Sequence, residues 1–168
     1  MHYFIFPEKD TTIFEASSSL NSGLDEVLEI RKNVSDTGAS VDVSRILIKF
    51  DTTFFQEASS SGLIPQTGSR AAKYYLNLYD ANPKALAASQ SLYAYAISGS
   101  WDMGTGRSYD NPQTSDGCSW KYRYSETNGT LWASGSGAED GAGGVWYSSS
   151  VAPAASASLN HQSTDLKI

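Results

Sequence analysis

Aromatic, arginine and aspartate side chains recur between residues 98 and 144, and they are the groups of this chain best suited to binding chemistry. Trp and Tyr rings stack on sugar rings and also pack in protein interfaces. An arginine beside such a ring can grip a carboxylate through two parallel hydrogen bonds. The pattern predicts a binding region whose candidate residues are Trp101, Asp102, Arg107, Trp120, Arg123 and Trp132.

The tryptophans of this region also have a purely structural interpretation. Trp101, Trp120 and Trp132 can fill the core of a β-sandwich and pin a long loop to it. A protein interface and sugar binding are the two functional alternatives. Sugar binding predicts a solvent-facing row of aromatic rings that includes Trp101 or Trp132, whereas the structural interpretation predicts buried rings.

Carboxylates in or near the same region raise the possibility of a calcium site. Ca²⁺ takes about six to eight oxygen ligands, which loops often supply. The sequence lacks the spacing of an EF-hand, so ordinary solvated loop acids are the simpler interpretation, and no other cofactor is predicted. The acids concerned are Asp102, Asp110, Asp116, Glu139 and Asp140.

Residue types that catalyse reactions or bind zinc are too dispersed to form a predictable site. His2 and His161 lie near opposite ends of the chain in polar surroundings. Cys118 is the single cysteine, so it has no partner for an internal disulfide and is expected to be a buried or bystander thiol. A triad or a zinc site needs such groups fixed beside partners. We therefore predict no catalytic residue, no metal site and no enzymatic activity.

The stretch at residues 44–51 is the element most able to position this region. Ile46, Ile48 and Phe50 alternate with polar residues, which is the two-residue period of a β-strand. The pattern predicts a central strand with these three side chains in the core. Leu47 interrupts the polar face, so the outer side is expected to be partly covered.

The rest of the chain is predicted to be all-β, in one domain spanning residues 1–168. Its composition, poor in charge and rich in Tyr, Ser and Gly, is typical of short strands joined by loops. Residues 98–144 are expected to be an irregular loop, residues 148–160 an Ala/Ser-rich spacer, and residues 53–58 a helical turn. Further strands are predicted at 11–15 on an edge, and at 26–32, 70–79, 92–97, 144–147 and 164–168.

Net charge and hydropathy exclude several classes of partner. The formal charge of −6 argues against nucleic acid, which is bound through Lys and Arg, and gives no support for docking on an anionic membrane. No apolar run has the roughly 20 residues of a membrane helix. The alternation at 164–168 stops mid-pattern, so we expect the polypeptide to continue beyond Ile168 or to pair there with another chain.

Several segments, in this order, resemble the DNRLRE-type β-sandwich domain, which is related to disaggregatase repeats and to the carbohydrate-binding module grouped with them. The resemblance implies a jelly-roll-like antiparallel β-sandwich with long irregular loops and with C-terminal strands missing. The segments are DTTI at 10–13, LEIR at 28–31, SRILIKFD at 44–51, LYAY at 92–95, WDMGTGR at 101–107, DGCSWKYR at 116–123, Trp132, and TDLKI at 164–168.

The resemblance also implies a function. Family members occur in secreted bacterial and archaeal surface proteins, and the sequence style is similar to that of virion proteins of tailed marine and cyanobacterial phages. We expect a non-enzymatic virion structural protein at the neck, tail, fibre or capsid surface, assembled with other virion proteins and with symmetry copies of itself. The alternative is a carbohydrate-binding module of an extracellular or host-recognition protein at the cell surface, which binds a polysaccharide.

Overall fold

The computed structural model describes residues 4–34, 37, 40–65, 68, 75–79, 81, 89–94, 97, 99–132, 155–160 and 165–167. The chain divides into two compact units, each built from two separate stretches. The first unit comprises Met1–Phe50 and Ile97–Ser150, and the second comprises Asp51–Ala96 and Val151–Ile168. Strands predominate, with one short α-helix and antiparallel pairing throughout the described sheets. Within the described part, no helix has the length and apolar character needed to cross a membrane.

The first unit contains a three-stranded antiparallel sheet. Its strands are β1 (Pro7–Phe14), β2 (Lys32–Val34) and β3 (Ser40–Phe50), and their order is β1-β3-β2. The prediction of a central strand at residues 44–51 is confirmed, because β3 lies between the other two. The predicted edge strand is also confirmed in β1. Pro7 begins this edge strand, where its missing N–H interrupts no interior ladder.

The buried face of this sheet is not the predicted one. Leu47 is 1% exposed and Ile13 is fully buried, whereas Ile46, Ile48 and Phe50 are only half-buried. Thr11 pairs with Leu47 and Ile13 pairs with Arg45 across β1 and β3, so these side chains share one face. The prediction that Ile46, Ile48 and Phe50 form the core face is therefore wrong.

Two cationic side chains explain why the buried face looks polar in the sequence. The guanidinium carbon of Arg45 lies 4.8 Å from the centre of the Trp120 ring, and Nζ of Lys9 lies 4.7 Å from that of Trp101. Aliphatic stems of Lys and Arg pack on apolar surfaces while their charged ends meet aromatic rings. Lys9 and Arg45 thus extend the core cluster around Leu47 instead of marking a solvent-facing side.

The predicted strand at residues 26–32 is also wrong, because only Lys32 at its end belongs to β2. Side-chain hydroxyls replace ladder hydrogen bonds in the preceding residues. The N–H of Glu29 donates to Oγ1 of Thr12 at 2.9 Å, and the N–H of Arg31 donates to Oγ of Ser44 at 2.6 Å. The Ser44 hydroxyl in turn donates to the carbonyl of Glu29 at 2.7 Å. Local hydroxyl bonds of this kind compete with regular sheet pairing.

The loop of the first unit is irregular, as predicted, over its described residues 99–132. It contains one 3-10 turn, Glu126–Asn128, and one isolated bridge between Tyr122 and Leu131. The alternating residues 118–124 form no strand. The loop nevertheless packs on the sheet, because its buried side chains join Ile13 and Leu47 in one core cluster.

Among its described residues, the second unit contains one helix and two strand pairs. The helix is α1 (Thr53–Ser60), strand β4 (Asn77–Tyr79) pairs with β7 (Asp165–Lys167), and β5 (Ser89–Ala94) pairs with β6 (Ala155–Asn160). The predicted helical turn at 53–58 is confirmed and extends to Ser60. The strand predicted near the C-terminal end is confirmed as β7.

Other predictions for this unit need correction. The Ala/Ser-rich segment was expected to be a spacer over residues 148–160, but its last six residues form β6. Small side chains do not prevent backbone pairing, so composition alone was misleading there. Of the described part of the strand predicted at 70–79, residues 77–79 form β4 and residues 75–76 form no strand. Residues 70–74 and the strand predicted at 144–147 lie outside the described residues.

Candidate functional site

Asn21 is the residue around which the loop of the first unit is organised. Its side chain is fully buried, and Nδ2 donates to the carbonyls of Met103 at 2.7 Å and Cys118 at 2.8 Å. Oδ1 accepts from the N–H of Gly106 at 2.8 Å and from that of Gly23 at 3.3 Å. One primary amide has two donors and an acceptor with two lone pairs, so Asn21 satisfies four backbone groups at once.

Glycines allow the backbone to approach this amide. Gly104 has φ of +76°, and a Cβ at this position would lie 2.5 Å from Oδ1 of Asn21 and 2.6 Å from Cα of Gly117. A Cβ on Gly106 would lie 2.6 Å from the carbonyl oxygen of Asn21. Such distances are shorter than any real Cβ contact, so packing requires glycine at both positions. The positive φ of Gly104 also favours glycine there.

The loop carboxylates accept hydrogen bonds from the loop itself. Asp116 accepts from the N–H of Thr105 at 2.8 Å and from its hydroxyl at 2.6 Å. Asp110 accepts from the N–H of Arg107 at 2.9 Å and from the hydroxyl of Thr114 at 3.2 Å. Burial alone would raise the pKa of Asp116, but the hydrogen bonds from Thr105 outweigh it and hold that pKa below the usual 3.8.

Within the described residues, no cluster of carboxylates supports the calcium hypothesis. Among them, no three Asp, Glu, His or Cys side chains are grouped so that they would hold a metal ion. Asp102, Asp110 and Asp116 are described, while Glu139 and Asp140 lie outside the described part of the chain. Calcium binding therefore stays a prediction.

The three candidate tryptophans are buried. Trp101 is 4% exposed, Trp120 8% and Trp132 3%, and all three belong to the core cluster. Nε1 of Trp132 donates to the carbonyl of Ser119 at 2.8 Å, which satisfies its buried N–H. They lie in the core and join the loop to the sheet, as their structural interpretation predicts. The solvent-facing row that sugar binding predicts does not include Trp101 or Trp132, because neither ring presents a face to solvent.

The polar candidates are more accessible. The side chain of Asp102 is 61% exposed, and its Oδ1 lies 3.9 Å from Nζ of Lys9. Arg107 is half-buried, with its guanidinium carbon 5.9 Å from the ring centre of the exposed Tyr109. The backbone N–H of Asp102 donates to the carbonyl of Arg123 at 3.0 Å, so the structure brings these two candidate residues together.

Cys118 is inaccessible, which confirms the expectation of a buried thiol. Burial raises the pKa of the Cys118 thiol to about 12, against a smaller lowering by the nearby charge of Lys9. A thiol with this pKa stays protonated at neutral pH, and the thiolate is the nucleophilic form. The site therefore offers no cysteine nucleophile.

The most exposed apolar side chains of the first unit are ones that sequence reasoning did not select. Phe4 is 79% exposed and Phe6 82%, immediately before β1, while Val27 is 59% and Ile30 52% exposed. The usable signal was the spacing of Phe4 and Phe6, which places both rings on one side of an extended segment. Asn21 was also missed, because three of its four partners lie 82 to 97 positions away in sequence.

No family model, curated protein or solved structure matches this chain. The resemblance to the DNRLRE-type domain therefore stays a prediction made from the residues.

Proposed function

We propose that this chain is a non-enzymatic structural component that acts through protein-protein assembly. The observation that carries the proposal is the exposure of large apolar side chains on the first unit. Phe4 and Phe6 are about four-fifths exposed, and Val27 and Ile30 are more than half exposed. Phe is among the residues most often fully buried in proteins, so two neighbouring exposed Phe side chains are candidates for burial in an interface.

The use of the polar groups of the loop supports the same proposal. The carboxylates of Asp110 and Asp116 accept hydrogen bonds from backbone N–H groups and hydroxyls that close the loop. Asn21 is committed to four backbone partners. These groups hold a rigid surface in place, which is what an assembly component requires.

The particle we propose is the virion of a tailed phage, with this chain at the neck, tail, fibre or capsid surface beside other virion proteins and copies of itself. The support is the sequence resemblance. The proposed architecture is a jelly-roll-like β-sandwich, supported by the antiparallel pairing in both units. A carbohydrate-binding module is less well supported, because the rings of Trp101, Trp120 and Trp132 are buried.

The decisive experiment is quantitative peptide mass spectrometry on purified particles and on secreted material from the source. A fixed ratio of this chain to capsid peptides is the expected result. Recovery only from secreted or cell-surface fractions would overturn the virion proposal and favour the carbohydrate-binding alternative.

A variant experiment tests the proposed surface. The double substitution Phe4→Ser and Phe6→Ser should lower incorporation into particles, because burying one such ring stabilises an interface by about 1.5–3 kcal/mol. Leu63→Ser is the matched control, since Leu63 is 78% exposed on the second unit. Equal incorporation of the double variant and the wild type would contradict a role for Phe4 and Phe6.

A further inference from the structure

Some described cations of the first unit, Arg107 among them, lack the ion pairs that others have. Lys9 lies 3.9 Å from Asp102, and the side chains of Arg31 and Lys49 pair with acids at 2.7 and 3.0 Å. Lys121 and Arg123 form no ion pair with any acid among the described residues. In a chain with a net charge of −6, an arginine without an ion pair is a candidate group for binding an anion.

Arg123 is held in one place by its surroundings. A Cβ on Gly99 would lie 2.6 Å from Nη1 of Arg123, so the guanidinium rests directly on the Gly99 backbone. The guanidinium carbon is 5.6 Å from the ring centre of Tyr124. The backbone is also fixed, because the N–H of Arg123 donates to Thr130 at 2.9 Å and its carbonyl accepts from Asp102 at 3.0 Å. A guanidinium held this way loses little entropy when it binds a ligand.

The residues that follow Gly99 and Arg123 in sequence carry a pair of hydroxyls. The Ser100 hydroxyl is 2.6 Å from the Tyr124 hydroxyl, and the pair is exposed to solvent. One hydroxyl proton serves the bond between them, which leaves the second proton for an external acceptor. Ser100 follows Gly99 and Tyr124 follows Arg123, so both contacts join the same two short segments. The donors are a guanidinium and a hydroxyl, which together suit a carboxylate.

We propose that Arg123, Ser100 and Tyr124 form a carboxylate-binding site for an acidic segment of a partner protein. The choice of a protein as partner rests on the proposed assembly function. Trp101, next to Ser100 in sequence, is buried and offers no ring on which a sugar could stack. The exposed carboxylate of Asp102 and the overall negative charge repel densely charged polyanions, so the site suits one or two carboxylates at a time.

The test is a titration of the whole protein with a blocked pentapeptide that carries two glutamates. The arginine Nε–Hε resonances report binding by NMR, and the glutamine version of the peptide is the ligand control. The glutamate peptide should shift the Arg123 resonance saturably. Arg123→Gln should weaken binding about tenfold, as expected for loss of one charge-assisted hydrogen-bonding group. The matched control is Arg31→Gln, which also removes a half-buried arginine of the first unit and should leave the affinity unchanged.

The variant Gly99→Ala tests whether binding depends on the position of the Arg123 guanidinium as well as on its charge. The added Cβ displaces the guanidinium end of Arg123 and keeps its charge, so weakened binding with an unchanged melting temperature would support the site. Wild-type affinity in both Arg123→Gln and Gly99→Ala would overturn it. So would binding of the glutamine peptide, absence of peptide binding, or binding of digalacturonate alone. The particle measurement is independent of these outcomes, so this site can fail while the assembly function stands.

Discussion

Nδ2 of Asn21 lies 2.8 Å from the carbonyl oxygen of Cys118, a residue 97 positions later in the chain. Both residues are fully buried. The bond joins the turn that follows β1 to the long loop, and the amide of Asn21 makes further bonds to Met103, Gly106 and Gly23. The loop is thus attached to the sheet by a buried polar group as well as by the aromatic core.

Asn21→Ala should be among the most destabilising single substitutions in the first unit. It leaves several buried backbone groups without partners, each worth about 1–3 kcal/mol, so we expect a loss of at least about 3 kcal/mol. Urea unfolding monitored by tryptophan fluorescence measures this loss. The control is Asn33→Ala, which removes an exposed side chain with a single 3.4 Å hydrogen bond and should change stability by less than about 0.5 kcal/mol. Equal effects would contradict the central role of Asn21.

Gly104 and Gly129 form a matched pair. Both have positive φ, +76° and +65°, but a Cβ on Gly104 collides with Asn21 and Gly117, while nothing lies within 4 Å of a Cβ on Gly129. Gly129→Ala should cost about 1–2 kcal/mol, the penalty for a left-handed non-glycine residue. Gly104→Ala adds the collision and should cost clearly more. The two melting temperatures give the comparison, and similar values would show that the close contact relaxes freely.

Leu47 and Ile48 test which face of β3 is buried. Leu47→Ala should cost about 2–5 kcal/mol, because it opens a cavity in the core cluster. Ile48→Ala should cost less, because Ile48 is half-buried on the opposite face. Chemical denaturation of the two variants gives the order directly. A larger loss of stability for Ile48→Ala would mean that the buried face of β3 is the one that the sequence pattern predicted.

The position of β3 was predictable from sequence, and its buried face was not. A two-residue period is a local signal, so the run from Ile46 to Phe50 was enough to place a central strand. Both faces of that strand carry apolar side chains, and the choice between them depends on distant rings. Lys9 and Arg45 pack on the rings of Trp101 and Trp120. These two polar residues therefore belong to the buried face, although the sequence pattern assigns them to solvent.

The prediction of the candidate site was limited in the same way, because burial there also depends on distant contacts. Its tryptophans were selected from the sequence as candidate binding residues, but residue type and spacing do not tell a buried ring from an exposed one. The sequence around Asn21 gave no indication of its buried, bridging role, since a single Asn in a polar loop normally indicates a turn. In β6 the Ala and Ser side chains gave no periodicity, and pairing with β5 decides its structure.

Asp10 should make the protein less stable as the pH rises from acid to neutral. Burial raises the pKa of Asp10 above its ordinary 3.8, so the folded state holds this proton more tightly than the unfolded chain. The resulting cost is absent below pH 3.8 and is fully present above the raised pKa. Asp10→Asn should therefore raise the melting temperature at pH 7 and leave it unchanged near pH 3. The control is Glu57→Gln on the exposed side of α1, and an equal gain there would point to a general charge effect.

Cys118 should react with a thiol reagent only when the first unit opens. Its side chain is fully buried, and burial raises the pKa of the thiol to about 12, so both access and thiolate are lacking in the folded state. With Ellman's reagent at pH 8 we expect slow labelling in buffer and rapid labelling in denaturant. The matched control places a thiol on the exposed part of the same loop, Ser108→Cys combined with Cys118→Ser, and should react rapidly in buffer. Rapid labelling of native Cys118 at the control rate would mean that the loop opens readily, and would contradict its attachment to the sheet through Asn21.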